Sequence, residues 1–303
     1  MVLTERALDR ESMVEHQLRR RGIRDEGLLE AFRTVPREEF VGDAVGEFAY
    51  EDTPLPIDEG QTITQPYILA VMVQALDLRP TDRVLEVGAG SGYAAAILAS
   101  RAERVFAIER KPTLAEAARD RLHRLGYHNV EVRAGDGTVG WPEEAPFDAI
   151  LVSAGGPDVP RALLEQLAPG GRLVIPVGGP RQQRLLRITR IGDEWRQEDL
   201  GSVTFVPLIG EEGWKERGAT ERSDPRVGTV AWPRQSEQPR LRWSAGSTCP
   251  PSSRKRPNPS HPSTTSIWAR CSIGSLTPPW SSSARPRMAH PSSTGCGRVS
   301  PAS

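Results

Sequence analysis

Glu86, Gly88, Gly90 and Gly92 stand in the order acidic-x-Gly-x-Gly-x-Gly, with Ala89 and Ser91 between the glycines. Glycines at this spacing let bare backbone approach a ligand without a Cβ in the way. A helix start directly behind them offers free N–H groups to negative charge. Two more acids follow at telling places. Glu109 closes the apolar run Arg104–Glu109 (RVFAIE), roughly 20 residues after the loop, where a ribose-binding carboxylate belongs. Asp136 sits between Gly135 and Gly137 after Val130–Ala134, at a turn able to cradle a flat ring.

The spacing narrows the ligand. A dinucleotide fingerprint needs a third small residue for close helix packing, and counting from Gly88 and Gly90 that slot is Tyr93. No Gly-Lys-Ser/Thr follows, which excludes a phosphate-binding P-loop. The remaining pattern suits a ligand with an amino-acid end and a ribose but no pyrophosphate, namely S-adenosylmethionine. Glu86, Gly88, Ala89, Gly90, Ser91, Gly92, Glu109, Asp136 and Gly137 are its candidate contacts.

These residues require strands that end in one crevice. Val84, Leu85 and Val87 read as a strand entering the glycine turn, and the alanine-rich stretch after it as a helix. Alternation continues with a helix over Pro112–Leu125, strands over Val130–Ala134 and Phe147–Val152, a helix over Asp158–Leu167 and a strand over Arg172–Val177. Arg184–Thr189 and Ser202–Leu208 read as late strands on an antiparallel edge. The fold class is α/β, a mostly parallel sheet with helices on both faces. Upstream, Thr4–Arg21 is an amphipathic helix stopped at Gly22. Asp25 caps a second helix that ends before Pro36. Together they would form a lid or a flank for the sheet. Asp52–Gln65 reads as a loop, Pro66 opens a helix, and Thr62 and Thr64 have the spacing of capping hydroxyls.

Charge divides the 303 residues. The chain holds 39 basic and 39 acidic side chains, but residues 215–303 carry 14 basic and only 4 acidic ones. The front part is therefore acidic, which argues against a nucleic-acid substrate. All three cysteines (Cys249, Cys271, Cys296) lie in the basic tail, at spacings that match no zinc pattern. Their absence from residues 1–214 agrees with a reducing cytoplasm, and the charged start MVLTERALDR is no signal peptide. No apolar run is long enough to span a membrane. The expected organisation is a catalytic domain over 1–214 and a Pro/Ser/Arg-rich tail over 215–303. With 18 serines and 13 prolines, that tail has the composition of a disordered segment. Its Trp232, Trp243, Trp268 and Trp280 leave an RNA-binding arm as another reading.

Taken together, DTPLPIDEGQTITQPYILAVM, VLEVGAGSGYAAAILA, VFAIER, AGDGTVGWPEEAPFDAILVSAGGPDVP, LLEQLAPGGRLVIPVG and FVPLIG resemble one family over about residues 5–212. That family is the protein-L-isoaspartate (D-aspartate) O-methyltransferases. The glycine loop is generic to S-adenosylmethionine enzymes, whereas GQTITQP and GDG…APFDAI are far more specific. The resemblance implies a Rossmann-like class I methyltransferase with a seven-stranded sheet, acting on isoaspartyl residues in damaged proteins, with no metal, membrane or nucleic-acid partner. It places the active-site hydroxyl on Thr64, where the family usually carries serine, and puts Asp58 where a glycine is usual. Thr64 would donate a hydrogen bond that positions the acceptor carboxylate. His16, His123 and His128 then read as ordinary surface or packing residues. A methyltransferase for another carboxylate or small molecule would keep the loop and Glu109 but not GQTITQP. A non-catalytic nucleotide-binding module would lose the hydroxyl loop as well.

The tail admits one more reading. Trp280–Cys296 can be encoded by G/C-rich codons that, read from the third nucleotide, give VVLGEATHGTSEFYRMR. That hidden peptide resembles the erythromycin-esterase-like hydrolases, which carry a Gly-Glu-Ala-Ser/Thr-His-Gly segment. The expectation is an out-of-frame remnant of a methyltransferase–esterase fusion, with a natural linker as the alternative.

Overall fold

The structure, a computed structural model, describes residues 4–216; what the sequence suggests for the rest of the tail lies outside them. Thr4 caps α1 (Glu5–Met13) by accepting a bond from the Ala7 N–H, and the helix runs on through a π turn and a 3₁₀ turn to Arg21. Gly22 stops it in the left-handed region at φ 104°. In α2 (Glu26–Thr34) the Asp25 carboxylate accepts from the Leu28 N–H at 3.0 Å. Met13, Val14, Leu18, Leu28, Leu29 and Phe32 are all buried, so these helices flank the sheet as part of the core.

The stretch read as a loop before Pro66 contains a small hairpin, β1 (Leu55–Pro56) against β2 (Thr62–Ile63). Two-residue strands leave no periodicity to detect. Next come α3 (Pro66–Leu76), β3 (Arg83–Val87), α4 (Tyr93–Ala99), β4 (Arg104–Glu109), α5 (Pro112–Arg124) and β5 (Val130–Ala134). They are followed by β6 (Phe147–Val152), α6 (Arg161–Glu165), β7 (Leu167–Gly179), β8 (Gln182–Ile191) and β9 (Glu194–Val203).

Seven strands form one sheet in the order β5-β4-β3-β6-β7-β8-β9, parallel from β5 to β7 and antiparallel thereafter. Chain direction across the sheet reverses at β3, because β4 and β5 lie on one side and β6 on the other. The crevice at the carboxyl ends of β3 and β6 is thus the topological switch point, where open α/β sheets hold their ligands. Strand alternation splits the core in two. Leu85, Val87, Phe106, Ile108, Phe147 and Ile150 fill one face. Val84, Ala107, Ala149 and Leu151 pack against the α1–α4 face. Glu86 shares the side of Val84. On that side Arg172 Nη2 pairs with Asp82 at 2.7 Å, and its Nε holds the Leu76 carbonyl at the end of α3.

Several element boundaries differ from expectation, β7 and β8 each running further than the expected Arg172–Val177 and Arg184–Thr189. The helix anticipated over Asp158–Leu167 is only α6, because Leu167 already pairs with Phe147 as the start of β7. The strand anticipated over Ser202–Leu208 ends at Val203, and beyond it Pro207 makes only a single bridge to Gly155. Instead β9 runs back to Glu194. As the outer strand it exposes much of its length, and its charged residues show no apolar alternation. The hairpin cue was Gly192-Asp193, whose Gly192 has φ +62° between Ile191 and Glu194.

Candidate active site

Two cavities meet at the carboxyl edge of the sheet, of about 30 and 100 Å³. Thr62, Gly88, Gly90 and Ser153 line both, so they form one cleft divided by the glycine loop. The smaller chamber is bounded by Thr64, Leu69, Glu86, Ser91 and Tyr93. The larger has Val87, Ile108, Val206, Leu208 and Ile209 as apolar walls, with Glu109, Arg110 and Lys111 along one side.

The loop is pinned by its neighbours. Gly88 and Ala89 donate their N–H groups to the Ile108 carbonyl at 2.8 and 3.1 Å. Gly90 donates to Glu109 Oε2 at 2.9 Å, and Lys111 N–H reaches Oε1 of the same carboxylate at 2.9 Å. Glu109 therefore organises the loop as well as lining the larger chamber. Gly92 turns the chain into α4 at φ +91°, where an added Cβ would press on Leu122 Cδ1 at 3.1 Å. It lines neither chamber, whereas Ala89 and Ser91 line the smaller one.

Glu86 is fully buried and neither carboxyl oxygen has a hydrogen-bond partner among the described residues. Burial, and then the nearby charge of Glu109, push its carboxyl well above the usual range. Ser153, just past β6, likewise holds a buried Oγ without a partner. Gly137 lines the larger chamber, and a Cβ there would meet Val87 Cγ1 at 2.4 Å. Asp136 faces elsewhere. Its Oδ1 accepts from Thr138 N–H and hydroxyl at 2.8 and 2.7 Å, and its Oδ2 from Glu211 N–H at 2.7 Å. Burial alone would raise its carboxyl; these bonds outweigh that and hold it below its ordinary value. Asp136 thus ties down the turn that follows Val206–Ile209, the stretch lining the larger chamber, and the segment ends with Trp214 Nε1 on the Gly155 carbonyl at 3.0 Å.

Thr64 is half-buried on the open side of the smaller chamber. The N–H that a helix cap would take, that of Tyr67, goes to Asp52 Oδ1 at 3.2 Å rather than to a threonine. Asp52 is itself buried and paired with Arg21. Beneath Thr64, the fully buried Arg37 donates from Nη2 to its carbonyl and from Nε to the Ala49 carbonyl, both at 2.8 Å.

The sequence reading did not single out Arg37, Asp52 or Ser153. Ser153 could have been found, since it follows a strand at the crevice edge. Arg37 and Asp52 sit in irregular segments where no pattern betrays burial. His16, His123 and His128 are exposed. No group of three His, Cys, Asp or Glu side chains is placed to hold a metal ion among the described residues. Nor is any of their helices long and apolar enough to cross a membrane.

Residues 9–213 match the family model described as protein-L-isoaspartate (D-aspartate) O-methyltransferase. The chain is 59% identical over 207 residues to protein-L-isoaspartate O-methyltransferase 2 of Pelobacter propionicus, covering 68% of this chain and 92% of the relative. It is 62% identical over 206 residues to the Methylorubrum extorquens protein-L-isoaspartate O-methyltransferase, covering 68% and 90%. Among solved structures, a protein-L-isoaspartate O-methyltransferase superposes with a TM-score of 0.63 at 30% identity, covering 67% of each chain. A Plasmodium falciparum beta-aspartate methyltransferase in complex with S-adenosyl-L-homocysteine gives 0.58 at 28% identity, covering 66% of this chain and 98% of that one.

Proposed function

The chain belongs to the protein-L-isoaspartate (D-aspartate) O-methyltransferase family, and we propose that the cleft between Thr64 and the glycine loop is where its reaction takes place. It is an S-adenosylmethionine-dependent protein repair methyltransferase that esterifies the free carboxylate of L-isoaspartyl, and D-aspartyl, residues.

The cleft suits the methyl donor on chemical grounds. Glu86 and Ser153 hold buried polar atoms that want partners, and Gly137 leaves room that a Cβ would fill. Glu109 would take the ribose hydroxyls, Gly137 and the apolar walls the adenine, and Glu86 with the Gly88–Ser91 backbone the amino-acid end. When bound, S-adenosylmethionine supplies a methyl group made electrophilic by its sulfonium.

This chain's residues have mainly to orient the acceptor. An isoaspartyl residue presents an α-carboxylate with a pKa of about 3.5, so it is already an anionic nucleophile at neutral pH. Thr64 donates a hydrogen bond that aims it, and no general base is required. Holding the reacting atoms about 3 Å apart and in line is worth on the order of 7–11 kcal/mol. Arg37 fixes the Thr64 main chain from below, and Val206–Ile209 wall the larger chamber. The ester then leaves the protein and closes to a succinimide in solution.

The observation carrying this reading is the single cleft that places Thr64 across from the glycine loop. Transfer of a labelled methyl group to an isoaspartyl peptide, beside its ordinary aspartyl twin, tests it. Label should enter only the first, and equal labelling of both would favour another carboxylate substrate.

We assign catalysis to residues 1–214, leaving 215–303 outside the reaction. Damaged proteins are the partners, and the cytoplasm, where such proteins are repaired, is the proposed location.

A further inference from the structure

The smaller chamber has an unusual charge inventory. Its lining contains Glu86 and no basic side chain, while Arg110 and Lys111 stand only on the larger chamber. Glu86 projects from the middle of the sheet, opposite Ala107 on β4 and Leu151 on β6, which offer it nothing polar. The titratable groups around it are few. Glu109 on β4 carries negative charge and is held by Gly90 and Lys111 N–H groups. Tyr93 on α4 has a phenol that burial keeps protonated, with the Arg37 guanidinium 4.8 Å from its ring centroid. The segment before α3 contributes only the hydroxyls of Thr62 and Thr64, and β6 that of Ser153. A carboxylate here would have a negative neighbour, no bonded donor and no water-exposed surface.

We propose that Glu86 carries its proton in the free protein and gives it up to solvent when the ammonium group of a bound amino-acid moiety docks in this chamber, so that about one proton leaves for each ligand molecule bound. This rests on the reading of the cleft as the S-adenosylmethionine site. The charge balance is simple: the neutral carboxylic acid becomes a carboxylate, the proton enters the buffer, and the pair formed with the ammonium is neutral. Release of the S-adenosylhomocysteine product reverses each change, so every turnover moves a proton out and back. The ammonium supplies the counter-charge and donors that Glu86 lacks among the described residues. Affinity for ligands with that group should then rise with pH until Glu86 is ionised in the free protein too. Ligands without it should show no such rise.

Titration calorimetry with S-adenosylhomocysteine at pH 7, in buffers of widely different ionisation enthalpy, measures the proton directly. The observed enthalpy should vary with the buffer by a slope approaching one proton released. Methylthioadenosine, which keeps the nucleoside but lacks the amino-acid end, should bind with an enthalpy that no buffer alters. Glu86→Gln should remove the slope with S-adenosylhomocysteine. A buffer-independent enthalpy for the unaltered protein, or an equal slope with methylthioadenosine, overturns the proposal even if the variant does not fold. Failure of both ligands to bind at all would overturn the cofactor-site reading instead.

Discussion

Arg37 donates from Nη2 to the main-chain oxygen of Thr64 at 2.8 Å, and its guanidinium is wholly buried. A buried cation spent on two carbonyls, with no carboxylate in ion-pair range among the described residues, is a costly way to hold a loop. What it gains is a fixed main chain at Thr64, whose hydroxyl we propose aims the acceptor. Arg37→Met should lower kcat on an isoaspartyl peptide by between about tenfold and a hundredfold. Affinity for S-adenosylhomocysteine should stay within about threefold, since Arg37 lines neither chamber. Parallel kinetics and calorimetry separate the two, and an equal loss in both would make Arg37 a general structural support.

Thr64→Ser should retain activity, because the donor survives. Thr64→Val, nearly the same shape, should lower turnover by about tenfold or more, the worth of a hydrogen bond to a charged group. Cofactor affinity should not change. If valine serves as well as threonine, Thr62 and nearby backbone N–H groups become the candidates for orienting the carboxylate.

Glu109→Ala should weaken S-adenosylhomocysteine binding by about tenfold or more. The loss has two sources, the proposed ribose contact and the release of the Gly90 and Lys111 N–H groups that this carboxylate holds. Glu109→Gln keeps an acceptor for one of them and should fall between. Calorimetry on both variants, with circular dichroism to confirm folding, decides the point.

Asp136 should make closure of the cleft sensitive to acid. Its carboxyl is held below its ordinary value, so the stabilisation is fully present above about pH 4, the unfolded value, and is lost as pH falls through the lower folded one. Asp136→Asn should remove that dependence and speed amide exchange at Glu211 and Glu212 at neutral pH. Exchange in the strands should not change. Unaltered exchange at those two residues would mean the bonds from Thr138 and Glu211 contribute nothing to closure.

A chain ending after Trp214 should keep methyl transfer, because among the described residues it loses only the exposed Arg110–Glu216 pair and the exposed Lys215 bond to the Glu211 carbonyl. For the stretch beyond residue 216, outside the described residues, the gene's nucleotide sequence is the measurement. Codons for Trp280–Cys296 that yield VVLGEATHGTSEFYRMR in the shifted frame would establish the out-of-frame origin. Codons that do not yield it end that idea.

The parallel half of the sheet and its crevice were legible because each element there satisfies a strong local rule. Val84, Leu85 and Val87 lead into a glycine turn, and Pro66 and Pro112 open helices at their favoured position. The outer strand was not legible, since Glu194–Val203 faces solvent and needs no apolar face to be held. Asp136 shows a different limit. Its place in the chain told which turn it occupies, but not that its side chain would be used by Glu211, 75 residues later. Arg37 shows the same limit more sharply, because its burial depends on Ala49 and Thr64 arriving from elsewhere.

The wall of the larger chamber comes from Val206 to Ile209, the end of the domain, while the glycine loop comes from its middle. During synthesis the ribosome therefore releases every residue of the loop, Glu109 and Thr64 long before the segment that encloses them. A nascent chain stalled short of Phe205 would possess the whole sheet and an open, water-filled trough in place of a cleft. Methyl transfer should switch on only over the last ten residues or so of the domain.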